Sequence, residues 1–338
     1  MESLPSFRAA LRQVMQRVPR VRPLAQGSLP LERMPGDAEP PRLIDAQVVE
    51  DATVRARRVP GDAEPGFAAF LDGSQHSEVV AWHGPAPIVI GVVGAVIRSR
   101  VDRRLVTWGS PRLETRLYVP FAYTQRVEWE EAFPRGSLID TTRSAADGAI
   151  PPAHPTLLLE RAKQAVQHDR EVAERELAHA WCARENRPLF VDGSISASEV
   201  LAASECSVGV VKSHRTLYVD AEALGIVLSL GRGERSSVVR IASRGRSSVL
   251  SWYLRLRDYA AHDALWGLVR VEVAESARIT ERADEVSRWV LAETVPTAMP
   301  DPRWDRMTYP ILNCEEYLRS RIPSRAVAGG RELPSNAS

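Results

Sequence analysis

Only three cysteines occur in the 338 residues, Cys182, Cys206 and Cys314, an odd number without CxxC spacing. That excludes a disulfide framework, gives no support to a zinc site, and makes a reducing cytoplasmic setting the expectation. Long apolar runs are missing too. The longest, residues 88–97, falls well short of the roughly 20 residues of a spanning helix, and the first residues hold no uninterrupted apolar core of an export signal. Neither export nor a membrane partner is expected. Charge of one sign is not in excess, since Lys plus Arg number 44 against 43 Asp plus Glu, for a net +1. The whole-chain charge therefore does not advertise a polyanion partner, and charge has to be read locally. GxSxG and HExxH are absent, and the seven His are scattered without ligand spacing. The GRG at 231–233 lies between extended runs, which is not the strand-to-helix context of a phosphate-cradling loop.

What is present is an ordinary globular composition, 44% hydrophobic and 26% charged, in a chain long enough for one large domain or two modest ones. The positive charge is nearly all Arg and gathers locally, at Arg55, Arg57 and Arg58, at Arg98, Arg100, Arg103 and Arg104, and at Arg232, Arg235, Arg240, Arg244 and Arg246. Each cluster alone is explained by solvated loops and strand faces, although guanidinium also suits bidentate phosphate contact.

Helical spacing of Phe7, Leu11, Val14, Met15 and Val18 predicts a short amphipathic helix at the start. From about 19 to 66 the chain is rich in Pro, Gly and acid and repeats itself, with RMPGDAEP ending at Pro40 and RVPGDAEP at Pro65. These copies read as turns around one short extended segment. Regular structure begins at Phe67, where AAFLDGS reads as a buried strand stopping at an Asp-Gly turn. Extended runs follow at 78–83, 86–99 and 104–119, then a long helix from about 156 to 185, free of internal Gly and Pro. A second strand-and-turn, PLFVDGSIS, ends at 196. A short helix near 198–204, extended runs at 225–230, 236–243, 247–257 and 266–273, and helices near 281–291 and after Pro310 complete the pattern. The expectation is an α/β mixed sheet flanked by helices, with more strands than a minimal five-stranded core needs. Its parts are an N-terminal segment (1–66), a main domain (67–325) and a disordered tail (326–338).

The two DGS copies are the sharpest feature. Asp72 and Asp192 each follow an apolar run, and a buried strand has no reason to end in carboxylate unless something cationic satisfies it. A single Asp-Gly is most simply a turn; two with the same flanks ask for more. A third acid comes from the long helix, whose inward stripe through Leu158, Ala162, Ala165, Val172, Ala173, Leu177 and Ala180 includes Glu176. Glu174 and Glu171 lie on flanking faces and stay open as alternatives. Two Asp and a Glu are hard oxygen ligands for Mg²⁺ or Mn²⁺, and a pair of such ions can activate water and stabilise both oxygens of a phosphodiester exchange.

In FLDGS (70–74), the helix acid, LFVDGSIS (189–196), VGVVKSHR (208–215), SWYLRLR (251–257), LVRVEVA (268–274) and TYP (308–310), the chain resembles the NurA family of DNA nucleases, in family order over about three quarters of its length. The resemblance implies a ribonuclease-H-like, PIWI-related fold that cuts DNA with Mn²⁺ or Mg²⁺, acting on ends and nicking single strands. It also implies a homodimer docked on a hexameric HerA-like ATPase. By that analogy Asp72, Glu176 and Asp192 carry two metals and Lys212 contacts the scissile phosphate or its developing charge. His214, Arg215 and Arg270 would line the DNA path, although Arg270 and Glu272 alternate to one face and are better read as a structural ion pair. Tyr309 would pack beneath the site or simply in the core. Asp301 and Asp305 are available as further ligands. A catalytically weak scaffold subunit that binds DNA or an ATPase is the alternative. Another ribonuclease-H-like enzyme, guide-directed or integrase-type, is disfavoured because no guide-binding or zinc-binding module is recognisable.

Overall fold

A computed structural model of the chain describes residues 4–17, 21–23, 40–102, 104–124, 126–134, 136–143, 150–242, 245–259, 262–294 and 308–321. The first PGDAEP copy, Asp301, Asp305 and the 326–338 tail lie outside the described residues, apart from Pro40.

In chain order the elements are α1 (Leu4–Arg17), β1 (Val21–Pro23), β2 (Arg42–Leu43), β3 (Gln47–Val48), β4 (Ala56–Arg58), β5 (Ala69–His83), β6 (Ala86–Val101), β7 (Arg104–Thr107) and β8 (Arg112–Val119). There follow α2 (Arg126–Ala132), β9 (Leu138–Asp140), α3 (Pro155–Arg184), β10 (Leu189–Asp192), α4 (Glu199–Ala202), β11 (Ser207–Val211), β12 (Thr216–Leu217) and α5 (Ala221–Ser229). The last are β13 (Glu234–Ser236), β14 (Val239–Ile241), β15 (Val249–Arg255), β16 (Leu268–Val273), α6 (Ile279–Glu293) and α7 (Tyr309–Arg321).

One mixed sheet organises the chain, in the continuous order β3-β14-β15-β16-β11-β10-β5-β6-β8-β9. At its centre β10 runs parallel to both β5 and β11, with Leu71 opposite Val191 and Asp192 opposite Val210. To one side β5, β6 and β8 form an antiparallel meander; to the other, β16 and β15 pair antiparallel beyond β11. The long helix α3 supplies the crossover that a parallel return from the meander to β10 requires.

The side-chain alternation of the central strands sorts the core into two layers. Ala69, Leu71, Leu189 and Val191 face α3, meeting Ala173, Leu177, Ala178 and Trp181. Phe70, Phe190, Val208 and Val210 face the other way, against Val286 and Val290 of α6 and Ile311, Cys314 and Leu318 of α7. The N-terminal segment joins the same sheet through β3 on β14 and β4 on β13. Fully buried Arg235 anchors it, donating to both carboxylate oxygens of Glu50 at 2.7 Å and to Asp284 at 2.6 Å. The second PGDAEP copy turns at Gly61 (φ +78°), and Arg288 of α6 holds its Glu64 at 3.0 Å.

Two sequence expectations are corrected. The 225–230 run is helical, not extended, because Asp220 caps α5 by accepting from the Ala223 N–H at 2.7 Å. The first strand does not stop at Asp-Gly either: β5 passes through it, with Asp72 paired to Val96 and Gly73 to Ala95.

Candidate active site

Asp72 and Asp192 sit side by side on adjacent parallel strands, one residue beyond the Leu71–Val191 pair. By alternation both belong to the face of Phe70 and Phe190, and so does Lys212 just past β11. Asp72 is 6% exposed. Its Oδ1 accepts from its own chain at the Gly73 N–H (2.8 Å), while its Oδ2 is buried without any hydrogen-bond partner. Burial holds this carboxyl well above the usual carboxylate range. The negative charges of Asp192, Glu315 and Glu174 push the same way, against Lys212.

Asp192 ends its strand, and its Oδ2 accepts from the Lys212 ammonium at 2.8 Å. Gly193 then turns the chain at φ +135°, a backbone that glycine tolerates and L side chains rarely adopt. The turn is pinned from below by Glu272, 1% exposed, which accepts from the Ser194 hydroxyl (2.8 Å) and the Ile195 N–H (3.0 Å).

The helix acid at this place is Glu174, not Glu176. Glu174 precedes Leu177, Ala178 and Trp181 by three, four and seven residues, which puts it on their buried face. A Cβ built on Gly73 would lie 1.9 Å from its Oε1, so the missing side chain at Gly73 is what admits it to the strand. Arg170, one turn earlier, pairs with it. Burial chiefly raises its carboxyl to about 7, Asp192 and Glu171 adding to the rise that Arg170 opposes. Glu176 instead has a 55% exposed side chain and lies 3.6 Å from Arg112 on the outer face. Glu171 is likewise outward, accepting from Gln167 at 2.8 Å.

A fourth acid was not anticipated. Glu315 of α7 lies near enough to Asp72 to act on its charge, with its side chain 15% exposed and Arg319 at 3.8 Å. α7 reaches β5 directly, the Cys314 thiol standing 3.5 Å from the Phe70 carbonyl. The signal was the spacing: Glu315 lies four residues after Ile311 and three before Leu318, both fully buried.

Other expected residues turn elsewhere. Arg270 is 5% exposed, paired to Glu272 at 2.7 Å and stacked over the Tyr218 ring, so it does not stand where DNA could reach it. The His214 ring contacts the Leu268 carbonyl at 2.9 Å, on the sheet. Arg215 is exposed, its carbonyl bonded to the Arg42 N–H. Tyr309 is 54% exposed, not a buried support of the site.

Asp72, Asp192 and Glu315 thus lie toward one face of the sheet and Glu174 reaches the same strands from the α3 face, all oxygen donors, one with an orphaned buried oxygen. That set suits a hard divalent cation. Among the described residues no three His, Cys, Asp or Glu side chains are already at metal-gripping distance, and Lys212 and Arg170 supply the positive charge at Asp192 and Glu174. No protein-family model matches the chain, and comparison with curated proteins finds no similar sequence. Among the described residues no helix is long and apolar enough to cross a membrane.

Proposed function

We propose that the chain is a metal-dependent phosphodiester hydrolase built on a ribonuclease-H-like core. Within that class it is best read as a NurA-type DNA nuclease that works on DNA ends and single strands. The observation that carries this is the Asp72 carboxylate, buried with an unpartnered oxygen and adjacent in register to Asp192, with Glu174 and Glu315 delivered from helices on either side. An unsatisfied buried carboxylate costs several kcal/mol, roughly, and a fold retains one where a cation completes it. The fold reading is supported by an antiparallel meander, a long crossover helix and two further strands parallel to the first.

Asp72, Asp192, Glu174 and Glu315 would hold the metal, Mn²⁺ or Mg²⁺, two per site by analogy. Bound there, it would activate water and offset charge on the phosphate oxygens. The chain's own residues prepare the place. Lys212 supplies positive charge beside Asp192, where it could follow charge building on a phosphate. Arg170 holds Glu174 in position, and Glu272 fixes the turn after Asp192 through two hydrogen bonds. A homodimer docked on a HerA-like hexameric ATPase belongs to the same proposal.

The test is Mn²⁺-dependent cleavage of linear single-stranded DNA by the purified chain, lost in Asp72→Asn with the fold intact by circular dichroism. A second reading, a catalytically weak scaffold that binds DNA or an ATPase, is favoured by the engagement of Asp192 and Glu174 with cationic side chains. DNA binding without cleavage under Mn²⁺, Mg²⁺ and Co²⁺ would decide for it.

A further inference from the structure

Beside Asp192, on the α3 side of the sheet, lies a cavity of about 180 Å³ floored by Leu71, Val191 and Leu201. Its charged lining is Arg170, Glu171, Glu174 and Arg175 from α3, with Asp192 and Arg246. Arg170 is committed to Glu174 and to the Gln75 side chain at 3.1 Å. Arg175 meets no carboxylate among the described residues, and its charge acts on His179, whose pKa is lowered mainly by burial and further by this arginine. Arg246 donates to the Ser196 hydroxyl at 3.3 Å and meets no carboxylate at ion-pair distance among the described residues. Of the cavity's charged groups Glu174 is thus paired to Arg170 and Asp192 to Lys212, while Arg175 and Arg246 stand in no ion pair among the described residues.

An acid cluster repels a DNA backbone, and binding there requires cations that offset it. Of the cations expected from the sequence, Lys212 is held by Asp192 and Arg270 is buried on Glu272. We propose that this cavity is a phosphate-binding subsite, in which Arg175 and Arg246 grip the phosphate of a nucleotide neighbouring the linkage to be cut. The inference rests on the nuclease reading and deepens it, but with residues outside the acid cluster. Guanidinium suits the role because its fork matches two phosphate oxygens at once. The apolar floor would take the face of the attached sugar, and Gly193 keeps the rim free of a side chain, since nothing lies within 4 Å of a Cβ built there.

The test is binding without divalent metal, in EDTA, by fluorescence anisotropy of labelled single-stranded oligonucleotides with 5′-phosphate, 3′-phosphate or hydroxyl ends, with inorganic phosphate as competitor. The Arg175→Ala/Arg246→Ala double variant should bind about tenfold more weakly, and its log-affinity against log-salt slope should fall by roughly one to one and a half. Arg175→Lys/Arg246→Lys should recover the salt slope but only part of the affinity, which a folding defect would not produce. Arg126→Ala, paired to Glu130 on α2, should change neither quantity. A tighter hold on one phosphorylated end, with competition by phosphate, identifies a strand terminus as the source; equal binding of all three strands identifies an internal phosphate. Either result supports the subsite. Wild-type affinity in the double variant, or a loss no larger than that of Arg126→Ala, overturns it. Unchanged cleavage by Asp72→Asn would sink the nuclease reading alone, because the binding measurement involves no metal and no cleavage.

Discussion

The same tripeptide, Asp-Gly-Ser, occurs at 72–74 and 192–194, and the fold puts the two copies to different uses. In the first the chain runs straight through as strand, the carboxylate is buried and half-satisfied, and the glycine is a gap for a helix acid. In the second the carboxylate ends its strand, is met by Lys212, and the glycine makes a turn. One aspartate is electrostatically unfinished and the other is finished. Identical local sequence therefore does not define a carboxylate's energy; its partners in space do.

The sharpest way to break this comparison is to neutralise each aspartate in turn. Asp72→Asn and Asp192→Asn should each lower Mn²⁺-dependent cleavage by about a thousandfold or more, as removal of a metal-holding carboxylate does. Their effects on the metal-free protein should have opposite signs. Asp72→Asn removes a buried carboxylate with one unpartnered oxygen and should stabilise by about 1–2 kcal/mol. Asp192→Asn removes the carboxylate charge that Lys212 meets at 2.8 Å and should destabilise by about 0.5–2 kcal/mol. Urea denaturation in EDTA at pH 8 measures both, and shifts of one sign would erase the distinction drawn here.

How far this was visible in the sequence follows from the same contrast. The mixed sheet, the long crossover helix and the placing of Asp72 and Asp192 on neighbouring strands were legible, since apolar runs and their order carry that information. The through-running β5 was not, because Asp-Gly spells a turn locally and only pairing with Val96 and Ala95 of β6 overrides it. The choice among Glu171, Glu174 and Glu176 failed for a related reason. Small residues such as Ala165 and Ala180 blurred the stripe, whereas the bulkiest buried residue, Trp181, would have pointed to Glu174. Glu315 escaped because its spacing from Ile311 and Leu318 marks only a buried helix face, and it is tertiary packing of Ile311, Cys314 and Leu318 that sets that face over β5.

The glycines test the comparison at the next level. A Cβ at Gly73 would collide with Glu174 1.9 Å away, so Gly73→Ala should displace that acid and lower cleavage by about ten- to a hundredfold. A Glu174→Ala background should absorb nearly all of that loss in a double-mutant cycle. At Gly193 the surrounding space is open but φ is +135°. Gly193→Ala should therefore cost about 1–3 kcal/mol of stability through backbone strain, with no such dependence on Glu174. Additive losses in the Gly73 cycle would show that the glycine gap does not serve Glu174.

A smaller effect concerns pH. The folded-state carboxyl of Glu174 lies at about 7 against an ordinary 4.5. A raised pKa means that the folded state favours the protonated form. Its contribution to stability is complete below about pH 4.5 and is lost as pH rises through about 7. Relative to Glu174→Gln, the metal-free wild type should lose on the order of 2–3 kcal/mol between pH 4.5 and 8. Stability curves of both proteins at several pH values in EDTA give the difference directly. Mn²⁺ at pH 8 should raise the melting temperature of the wild type more than that of Glu174→Gln, because the ion takes up the ionised form. Parallel curves would place Glu174 outside the coupled acids.

The smallest expected effect is also the one that separates two glutamates two residues apart. Glu176 lies on solvent-facing helix surface with a 55% exposed side chain, and its Arg112 partner at 3.6 Å is 52% exposed. Exposed pairs of that kind contribute roughly 0–1 kcal/mol, less with salt. Glu176→Ala should therefore leave cleavage within about twofold of wild type and stability within about 0.5 kcal/mol. Glu174→Ala, by contrast, should lose cleavage and gain stability at pH 8, where its buried carboxyl is ionised. Single-turnover cleavage of one labelled strand by the two variants in parallel is sufficient. Equal loss in both would mean that the outer face of α3 also meets the DNA, and the division between an inner acid and an outer one would have to be redrawn.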